Sequence, residues 1–163
     1  MSTKSSQLQI RVSPGEKTAL EALARRAGQS VSAYVLGRAL PSVRLRFSEL
    51  LRALAQEADR RFVLAELNDL LAGLAPMELR EAVADADLGG LSPYLQNYVT
   101  AMVELAAQRK GVSPPAWTRE VVPLEEPAFA ADLPALRLHL LRSAPVAFKR
   151  RNIFVDSSIG DRV

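Results

Sequence analysis

Apolar and polar side chains alternate over residues 7–12, and this period of two predicts a short strand. Leu8, Ile10 and Val12 fall on one face, and Gln7, Gln9 and Arg11 on the other. The pattern then changes to helical spacing. Ser13 suits an N-cap, Pro14 the first helical position, and Glu16 the third residue after the cap, as in a capping box. The first helix is expected over residues 14–27, with Ala19, Leu20, Leu23, Ala24 and Ala27 on its apolar stripe and Gly28 ending it. A second helix follows at once, capped by Ser30 or Ser32, with Val31, Val35, Leu36 and Ala39 at helical spacing and Pro41 as its stop.

From residue 42 onward the pattern is helical. Phe47, Leu50, Leu51, Leu54, Ala58, Phe62, Leu67, Leu70, Leu71 and Leu74 keep one stripe, as one long helix or as two broken near Arg60 and Arg61. Pro76 opens a shorter helix ending by Gly89-Gly90. Ser92-Pro93 repeats the cap-then-proline signal, and Leu95, Val99, Met102, Leu105 and Ala106 carry a helix to Arg109-Lys110, with Gly111 as terminator. Six prolines then punctuate residues 112–163, where residues 133–142 have room for one more helix and the rest is expected to be largely extended. The fold class is therefore mainly α. A strand-helix-helix unit occupies residues 1–41, and a helical domain occupies 42–163, with an extended tail from about 112.

One short strand leaves an unpaired edge, and a unit this small buries too little surface to stand alone. Two antiparallel copies would form a ribbon with its apolar face on four helices, displaying Gln7, Gln9 and Arg11 of both chains together. Residues 7–40, including the Gly28-Gln29-Ser30-Val31-Ser32 turn, resemble the ribbon-helix-helix family of Arc and MetJ type repressors and the antitoxins sharing that fold. The resemblance implies a homodimer paired through the N-terminal strand, and a ribbon lying in the major groove of double-stranded DNA with Gln7, Gln9 and Arg11 on bases. Glutamine can bond adenine bidentately and arginine can do the same to guanine, so the chemistry agrees independently. The resemblance further implies that backbone amides of Ser30, Val31 and Ser32 hold a DNA phosphate, a role suited to a helix N-terminus. Without the helices that follow, Gln-x-Gln-x-Arg would read simply as an exposed strand.

Charge points the same way. Residues 1–46 hold eight Lys or Arg against Glu16 and Glu21, a net of +6, so the rest of this +3 chain carries −3. With 163 residues and 48% hydrophobic content, the chain has room for the small unit and a second folded region. No stretch approaches a membrane span, and the polar residues 1–6 lack the apolar core of a signal peptide, so a cytoplasmic location is expected.

Two features of the C-terminal part stand out. Trp117, Phe129 and Phe148 are too irregularly spaced for a stripe; they either cover a core or dock onto another protein, and for Trp117 the core reading is favoured. The tail joins the cations Lys149, Arg150 and Arg151 to the apolar run Ile153, Phe154 and Val155. It could add to a partner, place its cations on DNA, or dock on its own helices. It also has a faint likeness to proteins encoded beside nucleotidyltransferase-like toxins.

Enzyme chemistry is not expected. The lone His139 lies mid-helix without a nucleophile, and the chain has no cysteine. Asp85 with Asp87, and Glu125 with Glu126, read as solvated pairs, and Gly89-Gly90 lacks the strand that a phosphate loop requires. No metal and no cofactor is implied. The expected function is a sequence-specific DNA-binding antitoxin that represses its own operon and neutralises a co-encoded toxin, for which Trp117, Phe148, Lys149, Arg150, Arg151, Ile153, Phe154 and Val155 are the candidate contacts. One alternative is an autonomous repressor or a plasmid partition or mobilisation accessory protein without a toxin. Another is an adaptor that does not bind DNA.

Overall fold

The computed structural model describes residues 9–39, 43–130, 133–156 and 158. Ser13 and Glu16 form the expected capping box. The Ser13 hydroxyl accepts the Glu16 N–H at 3.3 Å, and the Glu16 carboxylate accepts the Ser13 backbone N–H at 2.7 Å. Helix α1 thus begins at Pro14 and spans Pro14–Arg26. It ends in a Schellman motif, with Gly28 N–H on the Arg25 carbonyl and Gln29 N–H on the Ala24 carbonyl, which needs the φ of +64° that Gly28 adopts. Helix α2, Val31–Ala39, packs on α1. Its cap is Ser30 and not Ser32, because the Ser30 hydroxyl accepts the Ala33 N–H at 3.2 Å.

The chain divides into two compact units, Met1–Ser42 and Val43–Val163. Among the described residues of the first, Ala24 alone is buried, while Ile10, Val12, Leu23, Val31 and Leu36 are exposed. Residues 9–12 have no strand partner among the described residues. The expected strand requires a second chain's backbone to complete its hydrogen bonds, and a single copy cannot supply it.

The second unit is built from α3 (Val43–Gln56), α4 (Arg60–Gly73), α5 (Pro76–Ala82), α6 (Pro93–Arg109), α7 (Pro134–Ser143) and the single turn α8 (Val146–Lys149). A 3₁₀ turn at Ala116–Arg119 and the strands β1 (Ala128–Phe129) and β2 (Ile153–Phe154) complete it. The break between α3 and α4 falls at residues 57–59, where Asp59 caps α4 by accepting the Arg61 N–H at 3.2 Å. Restarting the helix resets its phase, so Val63, Leu67 and Leu71 face the core, while Phe62, expected on the stripe, is 77% exposed and Ala58 is exposed too. α5 ends well before Gly89-Gly90. Ser92 and Gly111 bound α6 as expected, through a hydroxyl cap on Leu95 N–H and a second Schellman motif at φ +65°.

The segment after Gly111 is more ordered than its prolines suggest. β1 and β2 pair in parallel, Ala128 opposite Ile153 and Phe129 opposite Phe154, with the two phenyl rings stacked 4.9 Å apart. Asn152 takes φ +60° just before β2, and its amide donates to the carbonyls of Leu124 and Glu125. The core runs from Phe47, Leu50 and Leu54 through Leu67 and Leu79 to Val99, Val103, Phe148 and Ile153.

Candidate nucleic-acid interface

The capping box decides where the chain leaves α1. Because the Ser13 backbone N–H and hydroxyl both donate to the Glu16 carboxylate, residues 9–12 depart from a fixed first turn, and the same bonds, the backbone one foremost, hold the Glu16 carboxyl below its ordinary pKa. Gln9 and Arg11 stand exposed on this segment, and Arg11 has no hydrogen-bond or ion-pair partner among the described residues. Gln7 lies outside the described residues.

The tight turn at Gly28 then sets the start of α2 shortly after the end of α1. Ser30, Val31 and Ser32 are exposed there. The first N–H groups of any helix lack a partner one turn back, and here the Ser30 hydroxyl takes that of Ala33. Lys17, Arg25, Arg26 and Arg38 are exposed cations on the two helices, and the Arg38 guanidinium lies 5.5 Å from the Tyr34 ring centre.

Two cations counted at the basic end belong elsewhere. Arg44 pairs with Asp85, and Arg46 with Glu66 and, at 3.6 Å, Glu49, all within the second unit. Residues 1–42 therefore carry six Lys or Arg against two Glu, a net of +4, and the rest of the chain −1. The asymmetry is smaller than the sequence count but keeps its sign, because Arg44 and Arg46 fall in the second unit, where the fold brings Asp85 and Glu66 to them.

The C-terminal candidates are placed differently. Phe148, Arg151, Ile153 and Val155 are buried in the second unit's own core, so in this fold a partner cannot reach them. Their apolar surface is covered by the chain itself, which is the docked-tail alternative. Phe154 is half-buried against Phe129, and Lys149 Nζ donates to the Arg142 carbonyl at 3.0 Å; Arg150 remains exposed. Trp117 is half-buried, and its indole N–H donates to the Val83 carbonyl at 2.9 Å, tying the 3₁₀ turn to the end of α5.

Arg151 is the polar centre of this region, a role its place in a basic run conceals. Its guanidinium donates to Glu104 at 2.6 Å, the Thr118 carbonyl at 2.6 Å, the Val121 carbonyl at 3.0 Å and Asn97 Oδ1 at 3.3 Å. Its sequence neighbours Phe148 and Ile153 are the signal that could have found it, since apolar residues three before and two after draw the segment inward. His139 is exposed, with Nε2 3.4 Å from Asp156. The Asp156 carboxyl lies below its ordinary pKa, chiefly through the Ser158 backbone N–H, then through the Ser158 hydroxyl, and less through His139. No helix of the described residues is long and apolar enough to cross a membrane.

A family model described as NikA-like, Mobilization protein NikA, matches residues 2–75. No curated protein and no solved structure matches the chain. The matched stretch takes in all of the first unit but its first residue, together with α3 and α4. It supports kinship of this part of the chain with ribbon-helix-helix DNA-binding proteins, and it points to no toxin.

Proposed function

We propose that the chain is a DNA-binding accessory protein of DNA mobilisation, acting as a dimer through its N-terminal unit. The observation that carries this reading is the match of residues 2–75 to the mobilization protein family. In it, residues 7–12 of two chains pair as an antiparallel ribbon in the major groove, Gln7, Gln9 and Arg11 read bases, and the start of α2 at Ser30, Val31 and Ser32 holds a phosphate on either side. The family match favours this alternative over the antitoxin, for which no observation supplies a toxin partner.

The exposed apolar side chains of the first unit support dimerisation. Ile10, Val12, Leu23, Val31 and Leu36 are five per chain. If pairing covered about half of each, ten side chains at about 1 kcal/mol apiece would contribute on the order of 10 kcal/mol, comparable to an association cost of roughly 4–15 kcal/mol.

The test has two parts. Deleting the gene should lower the transfer frequency of the element that carries it, and complementation with Arg11→Ala should restore it poorly. In fluorescence anisotropy, Arg11→Ala should lose roughly 1–3 kcal/mol on duplexes from that element's transfer region, with little change on unrelated duplexes. Unchanged transfer after deletion would sink the mobilisation reading; equal titration of both proteins would sink base reading by Arg11.

A further inference from the structure

The Arg151 network has a consequence for its neighbours. Its 2.6 Å bond to the Thr118 carbonyl joins two stretches of chain, and the residue next to each end is an exposed arginine: Arg119 beside Thr118, and Arg150 beside Arg151. Both line one cavity of about 360 Å³ between α6, the 3₁₀ turn and α8. Neither guanidinium has a hydrogen-bond or ion-pair partner among the described residues. The carboxylate in that cavity, Glu104, is already neutralised by Arg151 at 2.6 Å. Two like charges thus share a concavity whose one acidic group is spent, and an anion is what such a site lacks.

A neighbouring cavity shows the contrast. The one beside Trp117, about 470 Å³, is lined by Gln96, Asn97 and Trp117, whose donors are all taken by backbone carbonyls. Its neutral donors are structural, and the one charged side chain on its wall, Glu120, is a carboxylate.

We propose that the Arg119–Arg150 cavity is a binding site for a small amphipathic anion, a carboxylate or phosphate on a compact apolar body. The two guanidiniums take the anionic group, Gln108 adds an amide, and Val112, Pro114 and Val146 supply apolar wall. The buried Arg151–Thr118 bond holds both arginine backbones in place before a ligand arrives, so little ordering is left to offset.

Titration calorimetry on the full chain with phenyl phosphate tests this. Saturable binding is expected, and it should weaken at least roughly tenfold in both Arg119→Ala and Arg150→Ala, the loss of one charge-assisted contact each. Arg80→Ala, altering an exposed cation on a different cavity, should bind as wild type does. Inorganic phosphate should bind more weakly than phenyl phosphate. Absence of saturable binding, equal binding by the two arginine variants and wild type, or inorganic phosphate binding as tightly would each overturn the proposal. Displacement of phenyl phosphate by an unrelated DNA duplex would also overturn it, by assigning the arginines to a nucleic-acid backbone.

Discussion

Replacing Arg151 with methionine keeps most of the side-chain volume and removes four hydrogen bonds. The carbonyls of Thr118 and Val121, Asn97 Oδ1 and the Glu104 carboxylate all lose their donor, in a place where Arg151 itself is 5% exposed. Breaking a buried ion pair from one side typically costs about 3–5 kcal/mol, because the remaining charge is stranded. The Glu104 side chain retains 19% exposure and can recover some hydration, which places the expected loss near the lower end, about 3 kcal/mol. Urea denaturation followed by the single tryptophan, Trp117, reads this directly, since its indole is anchored to Val83 in the same unit. Arg151→Met with Glu104→Met should regain part of the loss, because no charge is then left unpaired. Specific DNA affinity should stay unchanged, because the network lies wholly within residues 43–163. A midpoint shift worth less than about 1 kcal/mol would refute the assignment of Arg151 as the polar centre of this unit.

Other outcomes follow from single features. Gly28→Ala should destabilise the first unit by about 1 kcal/mol in thermal denaturation, through backbone conformation alone, since an added Cβ meets nothing within 4 Å but must adopt φ +64°. Ile10→Asp should shift the protein from dimer to monomer in analytical ultracentrifugation and abolish specific DNA binding, because the apolar face of the ribbon would carry two charges. An Ile10→Asp protein that still sediments as a dimer would show that the chains meet elsewhere. Burial, with a smaller push from Tyr94, raises the Tyr98 hydroxyl to about 12 from its model-compound value of 10.0. The unfolded chain therefore releases this proton first, so stability should fall as pH rises from about 10 to about 12. Tyr98→Phe should flatten that fall in a series of melting curves, while a slope identical to wild type would mean the hydroxyl is not shielded.

The local grammar of the chain was legible in its sequence. Ser13-Pro14-Gly15-Glu16 and Ser92-Pro93 specify helix starts, and Gly28 and Gly111 helix ends, through contacts within five residues, and each acts where expected. The candidate base-reading residues Gln7, Gln9 and Arg11 were named from the alternation of one short segment, which needs no tertiary information, and of them the structure describes Gln9 and Arg11 as exposed. What sequence left open is whatever depends on residues far apart meeting. Phe62 and Val63 are adjacent, and only the phase of a helix restarted at Arg60 decides that Val63 faces the core. Arg44 and Arg46 look like part of a basic arm until the fold brings Asp85 and Glu66 to them.

The tail shows the same division most sharply. Its composition, three cations beside an apolar run, established that the segment could not rest free in water, but it did not say what would cover it. The tertiary structure decided that: Phe148, Ile153 and Val155 enter the chain's own core, β2 pairs with β1, and Arg151 finds Glu104 and two carbonyls. Helix caps and periodicity are properties of neighbouring residues, so one sequence suffices to read them. A buried charge is tolerable only where several distant groups converge on it, and that convergence exists only once the chain has folded.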